Sequence, residues 1–132
     1  AVRKVRDSIS LPLIVNGDIE TIDDVEMALD QSGANGVMIG RGTQGRPWFI
    51  KQVMDYFETG TVSPAPDTLL PIILSHYDAM IAYYGEGKGV PISRKHLAWY
   101  VAGMHGANEF RSQMNKMKDA RTVRKHIEQF IS

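Results

Sequence analysis

The stretch LPLIVNGDIETIDDVEMALDQSGANGVMIGRGTQGRPWFI, residues 11–50, decides the fold. It opens on a short apolar run, Leu11 to Asn16, with Pro12 near its start. An apolar run without alternation marks a parallel strand covered on both faces. Asn16-Gly17-Asp18 ends the run as a turn. Thr21 is placed to cap a helix, with Asp24 three residues on as a variant capping box. Ile22, Val25, Ala28 and Leu29 give that helix an apolar face, and Gly33 stops it. Gly36 to Gly40 is a second apolar strand, followed by a glycine-rich loop from Arg41 to Arg46. Pro47 sits where a first helical turn accepts proline, and Ile50, Met54 and Phe57 recur at helical spacing.

Residues 11–58 therefore alternate strand, helix, strand, helix, which requires a parallel sheet with helical crossovers. Two strands alone would both be edges with bare backbone groups, so this part needs strands that the sequence does not contain. Ala1 to Ser10 reads as the tail of a helix, with Val2, Val5 and Ile9 at helical spacing and no initiator methionine. The expectation is a chain cut from something longer.

Beyond this region the pattern changes. Thr59 to Asp67 (TGTVSPAPD) is a linker rich in Pro, Ser and Thr. Asp67 is a candidate cap for a helix ending near Tyr84, with Leu69, Ile73, Tyr77, Met80 and Tyr84 on its face. Gly85 to Gly89 reads as a flexible break, and Pro91 as the opening of the next helix. Gly103 and Gly106 bracket a turn; Phe110, Met114 and Met117 mark a third helix, and Val123, Ile127, Phe130 and Ile131 a fourth. Four amphipathic helices with short connections predict a small bundle. The expected organisation is an α/β part over residues 1–58, a linker over 59–67 and an all-α part over 68–132.

Composition narrows the function classes. The chain has 132 residues, is 43% hydrophobic and contains no cysteine. That excludes disulfides, thiolate metal sites and a cysteine nucleophile within this sequence, and it fits a cytoplasmic protein. No apolar stretch is long enough for a membrane helix. The net charge of zero hides a division. Residues 1–87 hold 6 Lys and Arg against 12 Asp and Glu, whereas residues 88–132 hold 9 against 3, a net of +6. Such asymmetry suggests that one half meets a polyanion, although basic residues also cover ordinary solvated helix faces.

Two turns stand at the C-terminal ends of the two consecutive strands: Asn16-Gly17-Asp18 and Gly40-Arg41-Gly42. In eight-stranded α/β barrels the loops at that end build the active site, and those after the last two strands often bind phosphate. Glycine lets a backbone approach an anion closely, and Arg41 adds a multi-donor cation. Asp18 cannot favour phosphate by charge and is expected to hold its turn through side-chain to backbone bonds. The alternative is that the glycines only make tight turns.

The second constellation is Ser93 to Tyr100, SRKHLAWY. On a helix, Arg94, Leu97 and Val101 share one stripe, Lys95, Trp99 and Gly103 another, and His96 and Tyr100 a third. Cations meet phosphates and rings stack on unpaired bases, so the segment suits nucleic acid. The alternative places the two aromatics in the bundle core and the cations in solvent. His96, His105 and His126 are too widely spaced for a compact zinc motif, and no metal is expected.

LPLIVNGDIETIDDVEMAL followed by GANGVMIGRGTQGRPWFI resembles the last two barrel strands of the bacterial tRNA-dihydrouridine synthase family, especially its B-type, nitrogen-regulation-homologue branch. The resemblance continues through the Arg94-Lys95-His96 and Trp99-Tyr100 pattern, with Arg111 and Asn115 matching a later pattern, to the end of the chain. It implies the last two β/α units of a (β/α)8 TIM-type barrel followed by a helical tRNA-binding domain. It implies FMN contacts from Asn16, Gly17, Asp18, Gly40 and Arg41, and RNA contacts from Arg94, Lys95, His96 and Arg111. Lys88, Lys118, Arg121, Arg124 and Lys125 are secondary RNA candidates on charge alone. The implied reaction takes reducing equivalents from NADPH through FMN to the 5,6 double bond of a tRNA uridine. The family's proton donor is a cysteine from an earlier barrel loop, so no catalytic residue is expected in this chain, and its partner would be the N-terminal barrel portion of the same protein. Two rival readings stand beside it: another phosphate-binding barrel oxidoreductase, and a non-catalytic RNA-binding regulatory module.

Overall fold

The capping pattern at Thr21 folds as its chemistry requires. In the computed structural model, which describes residues 1–132, the Thr21 side chain accepts from the Asp24 N–H at 3.1 Å. Asp24 Oδ2 accepts from the Thr21 N–H at 2.8 Å in return. This box opens helix α2, Ile22–Ser32, which ends at Gly33 in the left-handed region (φ 66°). Helix α1, Val2–Ser8, lies against α2. The Arg3 guanidinium donates to the Gln31 and Asp30 carbonyls, and Arg6 Nε donates to the Gly33 carbonyl at 3.1 Å. Two cations thus meet the unpaired carbonyls and negative dipole end of α2.

Strands β1, Ile14–Asn16, and β2, Gly36–Met38, pair in parallel, with Ile14 opposite Gly36, Val15 opposite Val37 and Asn16 opposite Met38. Helix α2 is the crossover between them. After β2 the chain makes a 3-10 turn, Arg41–Thr43, and then helix α3, Phe49–Thr59. Ile19, Val25, Phe49 and Val53 form the buried core of this unit, with Val37 and Ile39 packed against it.

Three expectations change here. The strands are three residues each, shorter than the apolar runs that announce them. They are not covered on both faces: Ile14 is 57% and Met38 55% exposed. With only two strands in the sheet, each has one unpaired edge and no neighbour across its outer face. Pro47 precedes helix α3 rather than opening it, because Trp48 is the N-cap.

The second unit is helical throughout: α4 Leu70–Tyr84, α5 Glu86–Tyr100, α6 Ala107–Met114 and α7 Ala120–Ile131. The chain divides into Ala1–Ala65 and Pro66–Ser132. Helices α4, α5 and α7 contact one another, and α6 joins α5 and α7. Ile73, Tyr77, Val90, Leu97, Val101, Met114, Val123 and Ile127 are almost wholly buried between them.

Asp67 does not cap α4; the N-cap is Leu69, and Pro71 in the first turn supplies the helical φ that starts it. Tyr84, expected on the apolar face, is 45% exposed. Gly85 to Gly89 is no flexible break. Only Gly85 (φ 72°) leaves the helix, and α5 begins at Glu86 and runs through Pro91, which lies in its second turn. Gly89 explains the composition. A Cβ there would stand 2.9 Å from Ile81 Cδ1 and 3.1 Å from the Met80 carbonyl oxygen, so glycine permits the close approach of α4 and α5. Met117 falls outside α6, in the loop that follows.

Candidate functional site

The two glycine turns converge. Asn16, Gly17, Asp18, Gly40 and Arg41 line one cavity of about 270 Å3, together with Ile19, Glu20 and Gly42. All five residues picked out in the sequence therefore lie on one concave surface, at the C-terminal ends of β1 and β2. The parallel register produces this. Asn16 and Met38 are partners, so the turns that follow them emerge side by side.

The backbone of the first turn is special at two consecutive residues, Gly17 (φ 156°) and Asp18 (φ 43°). Asp18 is the one non-glycine residue with positive φ in the chain. Its side chain does not hold the turn through backbone bonds, as expected, but accepts from Arg41 Nη2. The ion pair ties the first turn to the second, and both side chains are well exposed. Arg41 lines the cavity, where an incoming anion must share its guanidinium with Asp18. Glu20 adds a second carboxylate to the lining. Backbone at Gly17 and Gly40 is open, since a Cβ at either would meet nothing within 4 Å.

Gly42, read in the sequence as part of the second turn, and Arg46, read only as the end of the loop, take structural roles. Gly42 is buried, and a Cβ there would collide with the Ile19 carbonyl, so this glycine allows the second turn to pass against the first. Arg46 holds the loop from behind. Its Nε donates to the Gly42 carbonyl at 2.8 Å, its Nη2 to the Glu20 carbonyl, and its guanidinium lies 4.5 Å from the Phe49 ring centre. The cation nearest the proline was thus a structural one, and only its contacts distinguish it from Arg41.

The four RNA candidates of the helical unit are not brought together as one set. Lys95 is exposed, with its Nζ 4.9 Å from the Trp99 ring centre. Arg111 is exposed and donates to Asn108 on its own helix. Arg94 turns inward: half-buried, it donates from Nη2 to the Met117 carbonyl at 2.9 Å. It shares a helical stripe with the buried Leu97 and Val101. Of the secondary candidates, Lys88, Lys118, Arg121 and Lys125 are exposed, while Arg124 is engaged by Asp78 and Glu128.

His96 joins a row of rings. It stands edge-on to His76 at 5.0 Å and to Trp99 at 5.2 Å, and His76 Nδ1 lies 3.1 Å from the Tyr100 hydroxyl. Burial, then the neighbouring His76 and Lys95, hold the His96 imidazole below its ordinary pKa. Tyr100 is buried and Trp99 half-buried, so the first aromatic is core and the second bridges core and surface. No sequence signal announced His76, because it belongs to α4 and meets His96 only through helix packing. His126 stacks on Phe110, away from this row. No group of three or more His, Asp or Glu side chains is placed to hold a metal ion.

Comparison with known proteins identifies the family. The family described as Dihydrouridine synthase (Dus) matches residues 1–132. The "Probable tRNA-dihydrouridine synthase" of Rickettsia typhi is 45% identical over 131 residues, covering 98% of this chain and 40% of that protein. The protein of the same description from Rickettsia bellii is 44% identical over 133 residues, 99% of this chain and 41% of its own length. The "tRNA-dihydrouridine synthase B" of Pseudomonas putida is 37% identical over 130 residues, 97% of this chain and 39% of that protein. The chain spans about 40% of the length of these curated relatives. With the family matched from end to end and relatives in its bacterial B-type branch, the chain belongs to the dihydrouridine synthase family.

Proposed function

We propose that this chain is the C-terminal portion of an FMN-dependent tRNA-dihydrouridine synthase, which reduces uridine in tRNA to 5,6-dihydrouridine at the expense of NADPH in the cytoplasm. Residues 1–58 contribute the last two β/α units of a (β/α)8 barrel, residues 59–67 a linker and residues 68–132 a helical domain that grips tRNA. The observation that carries the reading is the convergence of the Asn16–Asp18 and Gly40–Gly42 turns on one cavity at the strand ends. The exposed faces of Ile14 and Met38 support the barrel, since further strands would cover them.

The fit to a flavin phosphate is chemical. Two glycine-backed turns leave backbone open to a phosphoryl group, and Arg41 offers several N–H donors. Asn16, Gly17, Asp18, Gly40 and Arg41 would hold that group, with Asp18 orienting Arg41 across the mouth. Bound FMN would supply the hydride for the uridine double bond. This chain's residues bind and orient; none is in the family's proton-donating role, because the chain has no cysteine. The longer protein should purify with flavin, and Arg41→Ala should reduce its flavin content and raise the FMN concentration needed for half-saturation by about tenfold or more, consistent with loss of a charge-assisted contact. Unchanged flavin affinity would remove Arg41 from the site. The chain alone should form no dihydrouridine from tRNA and NADPH; measurable product would overturn the assignment of the chemistry to other parts of the protein.

A further inference from the structure

The loop between α6 and α7 is tied down at its middle and its end by side chains of α4 and α5. Arg94 Nη2 holds the Met117 carbonyl at 2.9 Å. The Tyr77 hydroxyl donates to the Ala120 carbonyl at 2.9 Å, and Glu86 Oε1 accepts from the Ala120 N–H at 2.6 Å. Asp119 accepts from the Thr122 N–H at 2.8 Å and so caps α7. Surface loops are ordinarily the loosest parts of a fold, so this density of ties calls for a reason.

Lys116 and Lys118 flank the anchored Met117, and Arg121 follows in the first turn of α7. All three are exposed, Met117 between the lysines is half-buried, and none of the three cations is in an ion pair. The Asp119 carboxylate attracts Arg121 but forms no ion pair with it, and the positive end of the helix dipole disfavours a cation in this first turn. The nearby carboxylates accept hydrogen bonds from the α7 N-terminus, Asp119 from Thr122 and Glu86 from the Ala120 N–H. Arg94 has no carboxylate partner, and its buried Nε has no hydrogen-bond partner. Its uncompensated charge adds to the positive potential of the loop above it.

We infer that this loop is the phosphate-gripping element of the helical unit: Lys116, Lys118 and Arg121 contact an RNA backbone, and Arg94 is a positioning residue behind them. The inference rests on the tRNA-binding reading above and changes which residues carry it. A loop ordered at folding loses less conformational freedom when it binds, so its three cations act from a prepared geometry. Phosphate contacts of this kind set grip and register, not sequence preference.

The test is binding of an unmodified tRNA transcript to the full chain across a salt series. It compares wild type, the triple variant Lys116→Ala, Lys118→Ala, Arg121→Ala, and Arg94→Ala and Arg94→Lys in both backgrounds. The triple variant should bind roughly tenfold more weakly at low salt, and its slope of log affinity against log salt should be shallower by about 2 to 3. Arg94→Ala should weaken binding several-fold in the wild-type background and not at all in the triple variant, with Arg94→Lys intermediate. A purely structural role would weaken binding equally in both backgrounds and would remove Arg94 from the inference. Should Arg94→Ala unfold, Arg94→Lys and the triple variant decide. If wild type binds and the triple variant keeps its affinity and slope, the inference is wrong while the RNA reading stands. If wild type fails to bind, both fall.

Discussion

Two adjoining pieces of one chain solve the problem of burial differently. In Pro66–Ser132, four helices enclose a core in which Ile73, Tyr77, Leu97, Met114 and Ile127 are nearly inaccessible. In Ala1–Ala65, a small core around Val25 and Phe49 coexists with exposed Leu11, Ile14, Met27 and Met38. Helices satisfy their backbone internally and need only one stripe covered. A parallel strand needs neighbours on both edges and layers on both faces, and a two-stranded sheet supplies neither. The difference teaches that the helical unit covers its large apolar side chains within itself, while the two-stranded sheet leaves several of its own in water.

Hydrogen exchange on the intact chain should show the largest contrast. Amides in α4, α5 and α7 should exchange orders of magnitude more slowly than those in β1 and β2, because protection follows the buried contacts that must open. Equal protection in both units would abolish the comparison. Next in size, Leu97→Ala should cost about 2–5 kcal/mol in urea unfolding, as a large side chain leaves a closed core. Ile14→Ala should stay within about 0.5 kcal/mol, since its side chain is already largely in water. A large loss at Ile14 would mean that the strand face is covered in solution. Smaller again, Thr21→Ala should cost about 1 kcal/mol in the strand unit by removing half of the capping box. No loss would show that α2 is held by packing and by Arg3 and Arg6 alone.

The smallest effect is a pH dependence confined to the helical unit. His96 has a folded pKa below its ordinary value of 6.5, chiefly through burial. Between the two values the unfolded chain binds more protons, so stability rises with pH across that window. The contribution of neutral His96 is fully present above pH 6.5 and is lost as pH falls from there through the lower folded pKa. His96→Gln should flatten the profile of unfolding midpoint between pH 5 and 7. An unchanged profile would assign the titration to another group.

Local chemistry was readable wherever it is decided within a few residues. The Thr21 and Asp24 box, the stop at Gly33 and the turns at Gly103 and Gly106 all follow from short-range backbone rules. The two glycine turns at the strand ends were readable in the same way, and the parallel pairing then sets them side by side. What escaped depends on a second element. Gly85 to Gly89 is a turn signal by composition, but the closeness of α4 makes most of it helix. Asp18 was expected to hold its own turn, yet Arg41, 23 residues on, takes its carboxylate. Arg94 and Arg46 resemble any other surface cations in the sequence, and only packing turns them toward carbonyls.

The sequence by itself determined the order of elements and the family, since periodicity, caps and an end-to-end match are properties of the chain read in order. Only the tertiary structure decided which charges face inward and which stay free. Every arginine carries the same donors, and its role is set by the carbonyl or carboxylate that another part of the fold brings within about 3 Å of it.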